Sequence, residues 1–171
     1  MLPDVEPKQE TNRVNRYMSI VLAALATSMS AGVASSGPPT RTTVLSGKAA
    51  REVLRQCSRP TPEAGTAFFR PVRMQIDRLD RAVVSSRNGR LPVGTRTLRG
   101  LRSGYAVEVV GIVRSGRRFV YGSYYPLSMQ EGIKSASTSP TIVCDGGSRF
   151  FGAEIDVSTG RLVHIAFNGR P

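Results

Sequence analysis

The chain is poor in the residues that bind metals and carry out nucleophilic chemistry. Its 171 residues include one histidine, His164, two cysteines, Cys57 and Cys144, and no tryptophan. This set leaves only scattered carboxylates as further ligands, without the spacing of a zinc site or a calcium loop. We therefore expect no metal site and no cofactor.

Acidic residues are also scarce. There are 12 of them against 24 lysines and arginines, which gives a net charge of +12. Such a charge favours an anionic partner, either an acidic protein or an anionic component of the cell envelope. It disfavours a role as inhibitor of basic, lysozyme-type enzymes, because like charges slow the encounter.

The sequence contains no run of about 20 strongly apolar residues, the length that a membrane-spanning helix needs. The apolar run Met18–Ala26 follows Arg13 and Arg16 and precedes the small residues Gly32-Val33-Ala34. That order is typical of a secretory signal. We predict a signal peptide over residues 1–34, export to the periplasm and no stable membrane span after cleavage. An uncleaved N-terminal anchor is the alternative.

The remaining 137 residues are enough for one hydrophobic core. Residues 35–45, SSGPPTRTTVL, are rich in Ser, Thr and Pro and are predicted to form a flexible tether. Residues 46–171 are predicted to form a single domain.

Helical periodicity occurs in the first part of that domain. Ser46 can cap a helix that runs through Cys57, with Cys57 on its inner face. A second helix is predicted from Pro71 to about residue 85, where apolar residues repeat at helical spacing. Its inner positions are Val72, Ile76, Leu79 and Val83.

The period changes to two from residue 105. Residues 105–113 and 118–125 are predicted to form a hairpin, and residues 149–156 and 161–168 a second one, each with a glycine in its turn. In the last strand Val163, Ile165 and Phe167 form the better core face, which leaves His164 on a partly open face. The prediction is an α+β domain in which two N-terminal helices pack on one face of a four- to five-stranded antiparallel sheet.

The two cysteines are predicted to form a disulfide. They lie 87 positions apart in a chain expected to be exported, one on a helix and one at the start of a predicted central strand. The alternative is a cysteine-dependent hydrolase in which His164 activates Cys144 and Asp145 or Asp156 orients the imidazole. That alternative depends on geometry and stays open at this point.

The segment Asp145-Gly146-Gly147-Ser148 could form either a phosphate cradle or a tight turn. The lysine and the following helix of a P-loop are missing, so the sequence favours a turn in which Asp145 bonds to local amides.

Arginines are densest between residues 87 and 102 and recur at the first hairpin. Together with two hairpin tyrosines they are predicted to form a partner-binding surface, whose members are Arg96, Arg99, Arg102, Arg114, Arg117, Arg118, Tyr121 and Tyr124. The alternative is a solvated basic surface without a ligand. Nucleic acid is the least favoured partner, because no aromatic residues alternate with the arginine run.

The segments Gln56-Cys57-Ser58-Arg59, Val143-Cys144-Asp145-Gly146-Gly147 and Phe167-Asn168-Gly169 resemble the conserved segments of a group of small exported proteobacterial proteins without an assigned reaction. This resemblance implies export and a bond between the cysteines. Residues 154–162, EIDVSTGRL, are similar to the strand-turn-strand of PepSY-type domains, small exported α+β modules implicated in restraining proteases. The function expected from the sequence is non-enzymatic, in binding or in association with the envelope, and no catalytic residue is predicted.

Overall fold

The fold is built around one mixed β-sheet. The structure is a computed structural model that describes residues 42–86, 88–132 and 139–169. The predicted signal peptide and residues 35–41 of the predicted tether lie outside these ranges. All described residues belong to one compact unit.

Six strands and three α-helices make up the described residues. In chain order they are β1 Thr42–Val44, α1 Gly47–Glu52, β2 Ala67–Phe69, α2 Arg73–Ser85, α3 Leu98–Gly104, β3 Tyr105–Arg114, β4 Arg117–Pro126, β5 Phe151–Asp156 and β6 Leu162–Phe167. Short 3₁₀ turns lie at Val93–Thr95, Leu127–Gly132 and Gly147–Arg149. The α+β class is confirmed, but a strand precedes each of the first two helices.

The sheet has the order β1-β3-β4-β5-β6, with β2 also paired to β3. The antiparallel prediction is wrong for β1, which runs parallel to β3, while the other pairs are antiparallel. The tether prediction is wrong for its last residues, because Thr42–Val44 form β1 and Leu45 is buried. The Leu45 amide continues the pairing with a 2.9 Å bond to the Val109 carbonyl. β-branched residues at this position suit a strand better than a tether.

Both faces of the sheet are covered, which corrects the prediction of helices on one face only. In β3, Val107 and Val109 belong to the core under α2 and α3, whereas Val110 and Ile112 belong to the core under α1. Side chains alternate along a strand, and a strand that is apolar on both faces needs cover on both. We call these the helix face, under α2 and α3, and the bridge face, under α1.

The first helix is shorter than predicted. It ends at Glu52, and Cys57 lies beyond it in an irregular, exposed segment instead of on its inner face. Side chains bond to the carbonyls that a longer helix would use: Gln56 Nε2 donates to Val53 O at 3.2 Å, and Thr61 Oγ1 donates to Leu54 O at 2.5 Å. These local bonds replace another helical turn.

The second helix is close to the prediction, and its inner residues Ile76, Leu79 and Val83 are buried. The prediction of Val72 as a fourth inner residue is wrong, because Val72 precedes the first helical turn and is 55% exposed. The third helix is not predicted by the sequence pattern. Its start is capped by Thr97, whose Oγ1 accepts a 3.1 Å bond from the Gly100 amide.

Both predicted hairpins are confirmed. The first has a two-residue turn in which Ser115 and Gly116 both have positive φ, as a type I′ turn requires. In the second, a bulge near Glu154 and Ile155 shifts the register. Leu162 therefore replaces Val163 on the helix face, and Val163 is half exposed.

Candidate functional site

The predicted disulfide is confirmed. The sulfur atoms of Cys57 and Cys144 lie 2.07 Å apart, and neither cysteine is free. Both residues are exposed and lie in irregular segments; the strand predicted at Cys144 does not form. The hydrolase alternative would need a Cys144 thiolate, which this bridged form does not contain.

A buried arginine lies under the bridge. Arg59, only two residues after Cys57, is 5% exposed. Its guanidinium donates to Asn168 Oδ1 and, at 2.8 Å, to Ser123 Oγ. Arg59 Nε has no hydrogen-bond partner within the described residues. The positive charge of Arg59 is thus held on the bridge face mainly by neutral acceptors from β4 and the end of β6.

A buried carboxylate lies on the same face. Both oxygens of Glu108 accept bonds from the Thr141 amide, at 3.1 and 2.9 Å, and Oε1 also accepts one from the Thr141 hydroxyl at 2.8 Å. Burial raises the pKa of Glu108, while the bonds from Thr141 and the charge of Arg59 act in the opposite direction. Glu108 therefore attaches the segment that carries Cys144 to the sheet.

The hairpin arginines are paired with carboxylates of β5. Arg114 donates two bonds to Glu154, at 2.9 and 2.5 Å, and its guanidinium lies 4.1 Å from the centre of the Phe119 ring. Arg117 pairs with Asp156. Bonds from Ser158, together with backbone amides and Arg117, lower the pKa of Asp156 to about 2. Much of the hairpin's positive charge is therefore neutralised within the protein.

His164 lines a shallow groove of about 490 Å³ beside these ion pairs. Its Nε2 lies 3.2 Å from the Pro60 carbonyl oxygen, and its partner across the sheet is Glu154. Burial lowers the pKa of His164, with the charges of Arg59 and Arg114 acting in the same direction. Since Glu154 is bonded to Arg114, the groove offers His164 no free carboxylate from that strand.

The Asp145–Ser148 segment forms a turn. Asp145 and Gly147 have positive φ, and the Gly147 amide donates to the Gly169 carbonyl at 2.9 Å. The Asp145 amide donates to Ser58 Oγ at 3.2 Å. The Asp145 and Gly147 amides are thus bonded inside the protein, which favours the turn over a phosphate cradle.

The helix face carries a layer of basic residues. Residues 70–104, which we call the helix layer, contain nine arginines and only two aspartates, and so hold seven of the twelve net positive charges. Asp77 and Asp80 both pair with Arg102, and Asp77 also pairs with Arg73. Both aspartates of the helix layer are thus ion-paired, and their partners are Arg73 and Arg102.

The other arginines of the helix layer have no ion pair with any described carboxylate. The exposed ones are Arg70, Arg78, Arg81, Arg90, Arg96 and Arg99; Arg87 lies outside the described residues. Two of the six make weaker contacts: Arg90 lies 4.9 Å from the Phe167 ring centre, and Arg96 donates to the Gly89 carbonyl at 3.5 Å. The helix layer therefore presents concentrated positive charge to solvent.

The structure separates the predicted partner-binding residues into two groups. Arg96, Arg99 and Arg102 belong to the helix layer, whereas Arg114, Arg117 and Arg118 lie around the turn between β3 and β4, at the end of β3 that is opposite α3. Arg118 is exposed, over the Phe69 ring at 3.8 Å. Arg102 is mostly engaged with aspartates.

The two tyrosines of the prediction are not at the surface. Tyr121 is buried on the bridge face and Tyr124 on the helix face, so neither can contact a partner directly. Tyr124 instead donates a 3.0 Å bond to Asp80. The assignment of these two rings to a binding surface is wrong, because β4 is covered on both sides.

Sequence reasoning missed the arginines at the start of the helix layer. Arg70, Arg73, Arg78 and Arg81 are absent from the predicted partner-binding surface, although the count of charges over residues 70–104 reveals the imbalance. It also missed Arg59, for which the composition gives no signal because arginine is usually exposed.

Two further properties bear on function. The described residues contain no group of three or more His, Cys, Asp or Glu side chains that could hold a metal ion. Among the same residues, no helix combines the length and apolar character needed to cross a membrane.

Comparisons with family models, with curated proteins and with solved structures each find no match to this chain.

Proposed function

We propose that this chain is exported to the periplasm and acts there as a non-catalytic domain that binds an anionic partner. The signal-like order of residues 1–34 supports export, and so does the disulfide, because such bonds persist in oxidising compartments. The bridge also ties up both thiols, which favours a binding role over cysteine chemistry.

The observation that carries the proposal is the uncompensated charge of the helix layer. Six of its arginines are exposed and have no ion pair with a described carboxylate, and they lie on or beside two helices that pack on the sheet through a continuous core. Charges held on a rigid surface attract an anionic partner from a distance and can bond to it on contact. The hairpin arginines contribute less, since Glu154 and Asp156 neutralise two of them.

Retention on dextran sulfate in a salt gradient tests this proposal. One variant carries Arg78→Gln, Arg81→Gln and Arg99→Gln; the control carries Arg55→Gln, Arg149→Gln and Arg161→Gln, three exposed arginines elsewhere. Both variants lose the same net charge. We expect the helix-layer variant to elute at clearly lower salt than the control, because it removes clustered cations.

Equal elution of the two variants would mean that retention depends on total charge alone. The basic surface would then be a solvated one without a dedicated site, and the proposal would be wrong. Export has its own test, the intact mass of protein recovered from a bacterial periplasm. A chain beginning at Ser35 supports cleavage, and a full-length chain contradicts it.

A further inference from the structure

We infer that the anionic partner of the helix layer is the surface of a membrane that contains anionic lipids. This inference rests on the proposed function and adds the chemistry of the partner. It depends on apolar residues that the helix layer exposes among its arginines.

Large apolar side chains are exposed at six described positions, and three of these belong to the helix layer. They are Val72, Met74 and Val93, which are 55%, 57% and 79% exposed. Exposed apolar groups contribute little to binding a highly hydrated polyanion. They do contribute at a membrane, where they can enter the boundary between headgroups and acyl chains.

The start of α2 combines both kinds of residue. Met74, Arg78 and Arg81 are spaced at i, i+4 and i+7, so they lie along one side of the helix, and all three are exposed. Val72 precedes Arg73 directly and follows Arg70 by two positions. Arginine side chains can lie along an apolar boundary while their guanidinium groups reach the phosphates.

A groove at this point has the polarity expected for an anionic lipid. It has a volume of about 420 Å³ and lies between β1 and the start of α2, lined by Thr42, Val44, Arg70, Pro71, Val72, Arg73 and Ile76. Its apolar side chains come from both elements, and its two cations, Arg70 and Arg73, are three positions apart in the chain. A phosphate headgroup can pair with Arg70 while the attached glycerol and acyl carbons contact Val44 and Ile76. Arg73, which is exposed and bonded to Asp77 at 3.2 Å, adds positive charge beside that position.

The contact that we infer is peripheral, because it is made by exposed side chains of the helix layer. Peripheral binding uses both apolar burial and attraction to anionic lipids, so loss of either should weaken it.

Sedimentation with vesicles tests the inference on the intact periplasmic protein. The probes are vesicles of phosphatidylcholine alone and of phosphatidylcholine mixed with phosphatidylglycerol. The apolar variant carries Val72→Ser and Met74→Gln; it keeps every charge, and serine is favoured at the position that precedes α2. The control carries Ile142→Gln and Val163→Thr, two exposed apolar residues elsewhere.

We expect binding only to the vesicles that contain phosphatidylglycerol, a severalfold loss in the apolar variant, and wild-type binding in the control. Retention of the apolar variant on dextran sulfate should equal that of the wild type. The double variant Arg70→Gln, Arg73→Gln should bind both probes more weakly than the wild type.

Two results would overturn the inference and leave the proposed function standing. One is retention on dextran sulfate that depends on the helix layer, without binding to either vesicle. The other is vesicle binding that the apolar variant does not change, since attraction by charge alone would then explain it. Failure of the proposed function itself appears on dextran sulfate, as equal elution of the two charge variants.

Discussion

Arg102 Nε lies 2.9 Å from Oδ2 of Asp80, so an ion pair with a buried carboxylate holds the last turn of α3 to α2. The other oxygen of Asp80 accepts the bond from Tyr124. Burial raises the pKa of Asp80, and the bonds from Arg102 and Tyr124 counter that rise. The two aspartates of the helix layer, Asp77 and Asp80, thus hold α3 to α2 through Arg102.

Removal of this cation should destabilise the fold. Arg102→Ala leaves Asp80 buried with only the Tyr124 hydroxyl, and the loss of one partner of a buried pair costs about 3 kcal/mol. Urea denaturation measures the change in the free energy of unfolding. Arg99→Ala, at an exposed and unpaired arginine three residues earlier, is the matched control and should stay within about 0.5 kcal/mol of wild type. Equal effects of the two variants would contradict this role of Arg102.

The disulfide should contribute to stability through the long loop that it closes. Its cysteines are 87 positions apart, and a loop of that length corresponds to roughly 4 to 5 kcal/mol in the chain-entropy model, as an upper figure. The variant Cys57→Ala, Cys144→Ala should therefore unfold at much lower urea concentration than wild type. Stability within about 1 kcal/mol of wild type would show that the chain-entropy model does not apply here.

The effect of losing the bridge should be largest near the bridge. Hydrogen exchange should increase most at the amides of residues 55–60 and 141–146, because these segments contain few backbone ladder bonds. The Thr141 amide is a sensitive reporter, since it bonds to Glu108. If exchange became faster only in α2, the prediction that the effect is largest near the bridge would be wrong.

The parts of the fold that the sequence predicts well are those set by local chemistry. The positive-φ turn at Ser115 and Gly116 fixes the first hairpin, and the spacing of Ile76, Leu79 and Val83 fixes the inner side of α2. The disulfide was predictable from the expected compartment, although Cys57 is not on the helix that was used to argue for it.

The parts that it predicts poorly depend on tertiary contacts. The β-branched residues Thr42–Val44 form a strand by pairing in parallel with Val107–Val109, a partner that is distant in the sequence. The apolar run in β3 is compatible with burial on either face, so the pattern does not say which helix covers which side. Burial of Arg59 requires acceptors from Asn168 and Ser123, which are more than 60 positions away.

His164 should make stability depend on pH. Burial lowers the pKa of His164 below its ordinary value of 6.5, so between the two values the unfolded chain binds more protons than the folded one. Stability should therefore rise with pH through this window and be lost as pH falls through it. Urea denaturation of wild type and His164→Gln across that window measures the difference. The variant's stability relative to wild type should fall as pH rises; a constant difference would contradict the assignment. The buried carboxylates are the same in both proteins, so their contribution to the pH dependence cancels in the difference between the two stabilities.

A side chain at position 152 should destabilise the folded state, because a Cβ there would lie 2.2 Å from the Tyr121 hydroxyl oxygen. Tyr121 is itself fully buried and cannot move into solvent. Gly152→Ala should therefore cost about 1 to 3 kcal/mol, the usual range for overpacking. Gly104→Ala is the control: nothing lies within 4 Å of its added Cβ, and alanine is a better helix former than glycine at the end of α3. Thermal unfolding of both variants decides the point. A lower midpoint for Gly152→Ala beside an unchanged or higher one for Gly104→Ala identifies the Tyr121 contact as the cause, whereas equal shifts would assign the effect to loss of glycine alone.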